Sequence, residues 1–141
     1  MKNIDLAWAA GFFDGEGCIS FARRQRTKAK NLEYELTLII GQANISPLRK
    51  FHKIFGGKIR LDSLVYFRWT CNYKESLQVL VLLQPFLFLK QKEAKLALLY
   101  KELYLGKGTN ITKDLLEKRN RLYRAIKRKK VKYKKYINNT L

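Results

Sequence analysis

The segment Ala9-Ala10-Gly11-Phe12-Phe13-Asp14-Gly15-Glu16-Gly17 decides how this chain is interpreted. Small and aromatic residues typical of a tightly packed helix lead directly into a glycine-rich turn that carries two carboxylates. The rest of the chain is rich in lysine and arginine, so acid concentrated in one turn indicates a cation site. Asn3 is predicted to cap a helix over residues 4–13, which the turn at residues 15–17 would end.

The charge balance limits the class of partner. The chain has 141 residues, with 30 Lys+Arg against 11 Asp+Glu and a formal net charge of +19. Such a charge favours binding to phosphate backbones. Basic ribosomal and chromatin proteins share it, but they usually lack the 47% hydrophobic and 13% aromatic content found here. We therefore expect one compact domain over residues 1–128 and a basic tail over residues 129–141.

The cysteine and histidine content argues against several kinds of metal site. Cys18 and Cys71 are far apart, and His52 is the single histidine, so a zinc finger or ribbon cannot be assembled. Both cysteines are expected to be reduced core residues. A nuclease that uses histidine as base and metal ligand is disfavoured for the same reason. A metal site would have to use carboxylate oxygen.

Targeting and membrane patterns are not found. Residues 1–5 show no secretory or import pattern, so import from another compartment is not expected. The apolar run over residues 79–88 is interrupted by Gln84-Pro85 and is too short to cross a bilayer. The sequence therefore predicts a soluble protein.

Hydrophobic periodicity predicts the element order αββαββααα. Alternation over residues 18–26 and 32–40 predicts a first hairpin, and residues 58–62 and 64–72 predict a second around Asp62-Ser63. Between them, Ser46 followed by Pro47 is typical of a helix start, and Gly56-Gly57 would end that helix. The inward side chains are predicted to be Tyr34, Leu36, Leu38 and Ile40 in the first hairpin and Ile59, Leu61, Val65, Phe67 and Trp69 in the second.

Three further helices are predicted, over residues 74–83, 86–104 and 113–128. Residues 106–108 would separate the last two of these helices, and Thr112 would cap the last one. Residues 127–136 contain seven basic side chains and no acid. Both a solvated tail and ordered contact with phosphate remain open for this segment.

The first nine residues quoted resemble the LAGLIDADG signature of the homing endonucleases, with Ala9 in place of leucine and Glu16 in place of the last aspartate. Two other segments are similar to that family. Residues 40–42 resemble the strand end that delivers a polar active-site residue, and residues 83–92 closely resemble the segment that delivers its lysine, above all in the single-motif branch of chloroplast intron enzymes. The resemblance covers about residues 4–105. It implies an α+β fold in αββαββα order, with a saddle-shaped antiparallel sheet and an extra C-terminal helix.

The resemblance implies a Mg²⁺-dependent DNA endonuclease, for which Mn²⁺ could substitute. Glu16 and the main-chain carbonyl of Gly15 would bind the metal. Gln42 would bind the ordered water near it, and Lys90 would lie near the phosphate and offset developing charge. Asp14 is expected to be structural, capping backbone amides at the end of a partner helix.

A single motif supplies one such carboxylate per chain, whereas cutting both strands needs at least two. The resemblance therefore implies a homodimer. Ala7, Ala10 and Gly11 would let the first helices of two copies approach closely, and Asp14 would stabilise that contact. Ordinary tight packing within one chain also explains Ala10 and Gly11.

The outer face of the two hairpins would follow the major groove and read bases. The candidates from the alternation are Ser20, Arg24, Arg26, Glu33, Glu35, Thr37, Arg60, Asp62, Arg68 and Thr70. A one-residue change of register would exchange this set for its neighbours. Glu33 and Glu35 would meet either cytosine amino groups or a strand arginine. Lysines would contact phosphates, namely Lys28, Lys30, Lys107 and those of the C-terminal segment.

Two-fold symmetry implies a long, near-palindromic DNA site that is cut on both strands near its centre, in support of the mobility of a host intron. The expected location is the organelle that encodes the intron, or the cytoplasm of an archaeal or bacterial host. An RNA-binding intron maturase on the same scaffold is the alternative. A plain basic structural protein explains the charge but not the Gly15-Glu16-Gly17 segment.

Overall fold

The computed structural model describes residues 2–24, 33–103 and 111–140, without the side chains of residues 24, 33 and 129–140. Within these ranges the order αββαββααα is confirmed. The elements are α1 (Asn3–Glu16), β1 (Gly17–Arg24), β2 (Glu33–Gln42), α2 (Ile45–Phe55), β3 (Lys58–Ser63), β4 (Tyr66–Cys71), α3 (Tyr73–Leu83), α4 (Gln91–Leu103) and α5 (Lys113–Thr140). Four residues predicted to contact DNA lie outside the described residues, namely Arg26, Lys28, Lys30 and Lys107.

The four strands form one antiparallel sheet in the order β1-β2-β4-β3. Its register pairs Gly17 with Ile40 and Gln42 with Phe67. The side chains that point to one face are buried under the helices, as period-two alternation requires. This confirms the predicted α+β architecture and the inward placement of Tyr34, Leu36, Leu38 and Ile40.

The core is dense in aromatic rings. Trp69 is fully buried, lies edge-on to Phe51 with ring centroids 4.7 Å apart, and its Nε1 donates a hydrogen bond to the carbonyl of Gly56 over 2.8 Å. A second group of rings gathers under the other end of the sheet, where Phe21 lies 4.7 Å from Tyr100 between ring centroids. Such edge-to-face pairs stabilise a core beyond the area that they bury.

The second hairpin differs from its prediction. Its turn lies at Leu64-Val65 rather than at Asp62-Ser63, and the inward placement of Leu61 and Val65 is wrong, since they are 62% and 73% exposed. Burial decreases along the hairpin from Trp69 through the half-buried Phe67 to the turn. The alternation of the strands is real, but the helix layer ends before the hairpin does.

Two predicted helix starts are wrong. Helix α1 begins after Lys2 without a side-chain cap, so Asn3 is not the cap, and it continues through Gly15 to Glu16 instead of ending at a turn. Helix α2 is capped by Asn44, whose side chain accepts a hydrogen bond from the Ser46 amide over 2.9 Å. Asparagine competes as well as serine for this position.

The C-terminal helices also have different limits. Helix α4 begins at Gln91 rather than near residue 86, and α5 runs to Thr140, beyond the predicted end near residue 128. The predicted cap at Thr112 is confirmed, because its hydroxyl accepts a hydrogen bond from the Leu115 amide over 3.3 Å. No helix within the described residues is long and apolar enough to span a membrane.

The two cysteines have different environments. Cys71 is buried as predicted, and burial raises the pKa of its thiol. Cys18 is exposed, so its predicted core position is wrong. It pairs with Ile39 on the face of the sheet that the helices leave uncovered, which is the opposite face from Ile19.

Gly56 and Gly57 allow a test of the packing around Trp69. Both have positive φ, 74° and 83°, but a Cβ on Gly57 would lie 2.7 Å from Trp69 Nε1, whereas one on Gly56 would meet open space. Gly56 combines φ 74° with ψ −138°, so we expect Gly56→Ala to lower the free energy of unfolding by roughly 1–3 kcal/mol from backbone strain alone. Gly57→Ala should cost roughly 1–3 kcal/mol more because Trp69 must move.

Urea denaturation followed by tryptophan fluorescence measures both variants. Equal losses for the two alanine variants would contradict the packing described for Trp69.

Candidate functional site

The end of α1 passes into β1 without a loop. Gly17 has extended backbone dihedrals, φ −79° and ψ 157°, and its amide donates to the carbonyl of Phe13. A Cβ on Gly17 would overlap the Phe13 ring, whereas one on Gly15 would meet no atom within 4 Å. Glycine at position 17 therefore lets the Phe13 ring pack against the end of α1. Glu16 lies at this junction and is exposed.

Asp14 connects this helix end to a distant segment of the same chain. Its Oδ2 accepts hydrogen bonds from the amides of Phe88 and Leu89, over 2.6 and 3.1 Å, and its Oδ1 accepts one from the amide of Lys90 over 2.9 Å. The side chain is buried, and bonds of this kind to a carboxylate are among the strong ones. The structural role predicted for Asp14 thus has another geometry: the amides belong to its own chain, not to a partner helix.

Lys90 is brought to the same place. Its ammonium group donates a hydrogen bond to the main-chain carbonyl of Asp14, in the last turn of α1. The C-terminus of a helix is the negative end of its dipole and favours cations. The predicted catalytic lysine therefore lies beside the helix end that carries Glu16.

Gln42 reaches this end of the sheet from β2. Gly17 pairs with Ile40, so Glu16, one residue earlier, lies beside the last residues of β2. Those residues are Gly41 and Gln42. The structure thus brings Glu16, Gln42 and Lys90 to one corner, where α1 ends, β1 begins and β2 ends.

The donors at this corner fit a hard divalent cation. The Glu16 carboxylate is exposed, and the carbonyl of Gly15 is among the last four of α1, which have no partner within the helix. Mg²⁺ takes such oxygen ligands and keeps several waters. Among the described residues, no group of three or more His, Cys, Asp or Glu side chains could hold a metal alone. One chain therefore offers one carboxylate and one carbonyl, and further ligands must come from elsewhere.

Tyr66 also lies at this corner, although it is not among the site residues that the sequence predicts. Its ring covers Gly41, where an added Cβ would lie 2.6 Å from Tyr66 Cε1. A glycine within a strand often marks such a close approach, so Gly41 was the available signal. Tyr66 is 42% exposed. The next residue along β4, Phe67, pairs with Gln42, so Tyr66 lies close to Gln42.

The uncovered face of the sheet, here called the open face, collects most of the predicted base-reading residues. Register places Ser20 opposite Thr37 and Arg60 opposite Arg68. The side chains on this face with described surroundings are Cys18, Ser20, Ala22, Glu35, Thr37, Ile39, Lys58, Arg60, Tyr66, Arg68 and Thr70. Arg24 pairs with Glu33 through the backbone at the end of the first hairpin.

Asp62 and Arg68 bind each other. Arg68 Nη2 lies 2.5 Å from Asp62 Oδ2, and both side chains are partly exposed. The alternation predicts both as base-reading residues. The structure instead pairs them at the β3–β4 end of the open face, where the aspartate fixes the position of the guanidinium.

The residues predicted at a subunit contact separate into two groups. Ala7 and Gly11 are exposed, and a side chain at Gly11 would meet open space. Ala10 is fully buried in the core of its own chain, so its predicted interface position is wrong. The exposed stripe of α1 is Ile4, Ala7, Gly11 and Gly15, which spacings of three and four residues place on one side of a helix.

Sequence comparison identifies related proteins. The model of the family described as LAGLIDADG endonuclease matches residues 9–103. Among curated proteins, the intron-encoded RNA maturase bI4 of Saccharomyces cerevisiae is 32% identical over 73 residues, which are 50% of this chain. The chain spans 11% of the length of that relative.

Similar folds occur among solved structures. The homing endonuclease I-CvuI, in complex with uncleaved target DNA in 2 mM Mg, has a TM-score of 0.64 at 22% identity, over 82% of this chain and 92% of its own. The archaeal intron-encoded homing endonuclease I-Vdi141I, complexed with DNA, has a TM-score of 0.78 at 15% identity, over 91% of this chain and 85% of its own. At these identities the likeness establishes the fold alone.

The bonds of Asp14 predict a large effect on stability. Asp14→Asn replaces one acceptor oxygen of a buried side chain by an amide that cannot accept, so at least one of the three backbone amides loses its partner. We expect the free energy of unfolding to fall by about 2 kcal/mol, measured by urea denaturation. Asp114→Asn is the matched control, because Asp114 forms an exposed ion pair with Lys118 and such pairs contribute little. Equal effects of the two variants would contradict the anchoring role of Asp14.

Proposed function

Because this chain belongs to the LAGLIDADG endonuclease family, we propose that it is a homing endonuclease that makes a metal-dependent double-strand break in a long, near-palindromic DNA site. The observation that carries this proposal is the convergence of Glu16, Gln42 and Lys90 at one corner of the fold. That corner lies at the end of a sheet whose uncovered face presents basic and polar side chains. A binding protein without catalysis would not need an exposed carboxylate there, since it opposes DNA phosphate.

Each residue of the corner has a distinct proposed role. Glu16 and the carbonyl of Gly15 would hold Mg²⁺ or Mn²⁺, which supplies charge stabilisation at the attacking and leaving oxygens. Gln42 orients the attacking water through its amide group. Lys90 places a positive charge near the scissile phosphate and offsets the negative charge that develops there. The hydrogen bond from Lys90 to the Asp14 carbonyl supports this role, because it keeps the ammonium group close to Glu16.

A homodimer is the proposed active form. One chain offers one carboxylate at the site, and cleavage of two strands needs at least two. The exposed stripe of α1 would allow close approach of two helices around a two-fold axis. Phe88 and Leu89, 89% and 53% exposed beside the Asp14 anchor, would extend that contact with apolar surface.

The open face is the proposed DNA surface. Ser20, Glu35, Thr37, Arg60, Arg68 and Thr70 would read base edges in the major groove. Arginine suits guanine, and carboxylate suits the cytosine amino group. Lysines outside the sheet would add phosphate contacts, which position the protein without reading sequence.

The biological role that we propose is mobility of the intron that encodes the protein, in the compartment that holds that intron. The similarity to an RNA maturase makes RNA binding the alternative outcome. A maturase would use the same basic surface but would not require the carboxylate at position 16 for its activity.

Glu16→Gln tests the catalytic proposal. The change removes the only charged ligand from the corner, so we expect DNA cleavage to fall on the order of 10³-fold or more, with binding retained. The measurement is cleavage of a randomised duplex-site plasmid library by purified protein in Mg²⁺, alongside a sample with the metal chelated. Glu102→Gln, at an exposed position of α4, removes the same charge and should leave cleavage unchanged.

The same assay separates the two functions. Centred double-strand cuts at one near-palindromic sequence, lost in Glu16→Gln and without metal, support the nuclease. Binding without cleavage of any duplex, together with tighter binding of folded intron RNA, would support the maturase instead.

Gly11→Leu tests the dimer. A side chain at this position meets open space within one chain, so we expect no loss of fold. It would obstruct close approach of two α1 helices and raise the dimer dissociation constant by about 10-fold or more, measured by sedimentation equilibrium. Lys95→Leu, exposed on α4, is the control. A dimer that tolerates Gly11→Leu would exclude α1 as the contact.

A further inference from the structure

Exposed apolar side chains gather at the turn of the β3–β4 hairpin. Leu64 is 97% exposed and Val65 73%; these two turn residues are here called the apolar tip. Turns between antiparallel strands normally carry Gly, Asn or Asp, so turn chemistry does not explain a Leu-Val turn. Apolar groups clustered on a surface generally mark an interaction site.

The apolar tip lies at the catalytic end of the sheet. Strand β4 begins at Tyr66, directly after the turn, and the Tyr66 ring covers Gly41. The next residue, Phe67, pairs with Gln42. Leu64 and Val65 are therefore three and two residues before the strand position that pairs with a proposed catalytic side chain.

An ion pair lies beside the tip. Asp62 and Arg68 form it at 2.5 Å, on either side of the turn. Asp62 fixes the position of the guanidinium, which keeps further N–H donors for a base edge, and the turn residues add accessible apolar surface next to it. Apolar contact can therefore supplement hydrogen bonding at this end.

We propose that the apolar tip contacts the C5-methyl groups of thymines close to the cleavage positions and so selects A·T pairs there. This inference rests on the proposed nuclease function. In the major groove thymine alone presents a methyl group, which apolar side chains contact. The charge of +19 and the nearby Arg60 and Arg68, which lie opposite each other on β3 and β4, favour a polyanion over an apolar protein partner at this surface.

Deoxyuridine provides the test, because it pairs like thymine but lacks the methyl group. The substrate is the duplex obtained from the cleavage selection, with central thymines or outer thymines replaced. For the unaltered protein we expect each lost central contact to raise the Kd by about 4-fold, the equivalent of one buried methyl group. Removal of the outer methyl groups should change the Kd by the same factor whether or not the tip is intact.

The variant Leu64→Ala/Val65→Ala removes the proposed contact. It should bind central-thymine and central-deoxyuridine duplexes equally, and its selected sites should lose thymine near the centre. Leu99→Ala, which removes a 51% exposed leucine from α4, is the control and should keep the full deoxyuridine effect. Leu64 and Val65 are both exposed, so the circular dichroism spectrum and the urea denaturation curve of the tip variant should match those of the unaltered protein.

Two results would overturn the inference while leaving the nuclease intact. The unaltered protein could bind central thymine and deoxyuridine duplexes equally. Alternatively, the tip variant could dissociate the dimer in sedimentation, which would assign the tip to a subunit contact. Failure to select any cleaved duplex is a different result, since it would overturn the proposed function itself.

Discussion

The acceptance of three backbone hydrogen bonds by the Asp14 carboxylate is the constraint on which the corner depends. It joins the last turn of α1 to residues 88–90, so that segments remote in sequence meet beside the start of β1. A buried carboxylate is costly unless it is fully bonded, and here the amides it binds belong to a stretch without helix or strand. Those amides are not bonded within a helix or strand. The Asp14 carboxylate and these amides bond to each other, and as a result Lys90 comes to lie beside Glu16.

The electrostatics of the corner follow from this anchor. Glu16 lies in a strongly basic chain and at the negative end of a helix dipole, and both a metal ion and a lysine are favoured there. A single chain nevertheless supplies few oxygen ligands, and the exposed stripe of α1 shows where a second copy could add its own. In the proposed dimer, the incomplete ligand set and the small exposed side chains would be two aspects of one arrangement, in which catalysis and assembly use the same helix.

Much of this arrangement could be predicted from the sequence, because periodicity reports burial directly. Alternation identified the inward side chains of β2, and the nine-residue segment together with residues 83–92 identified Glu16 and Lys90 as residues that would meet. Alternation failed at Leu61 and Val65, since it indicates opposite faces of a strand but not how far the helix layer extends. Helix limits were missed where two residues compete as caps, as Asn44 and Ser46 do. The resemblance predicted that Asp14 caps backbone amides, but not that these amides belong to residues 88–90 of its own chain, because backbone amides leave no mark in a sequence.

The contact between the first hairpin and α5 has a consequence for biosynthesis. The hydroxyl of Tyr34 donates to Asn120 Oδ1 over 2.5 Å, across 86 residues, and the rings of Phe21 and Tyr34 pack near Tyr123. The hairpin leaves the ribosome long before the helix that covers it. During that interval its aromatic face stays accessible, and contacts so distant in sequence form slowly. A chain that has been synthesised only as far as α4 therefore leaves these rings partly uncovered, and α5 completes the cover of the first hairpin.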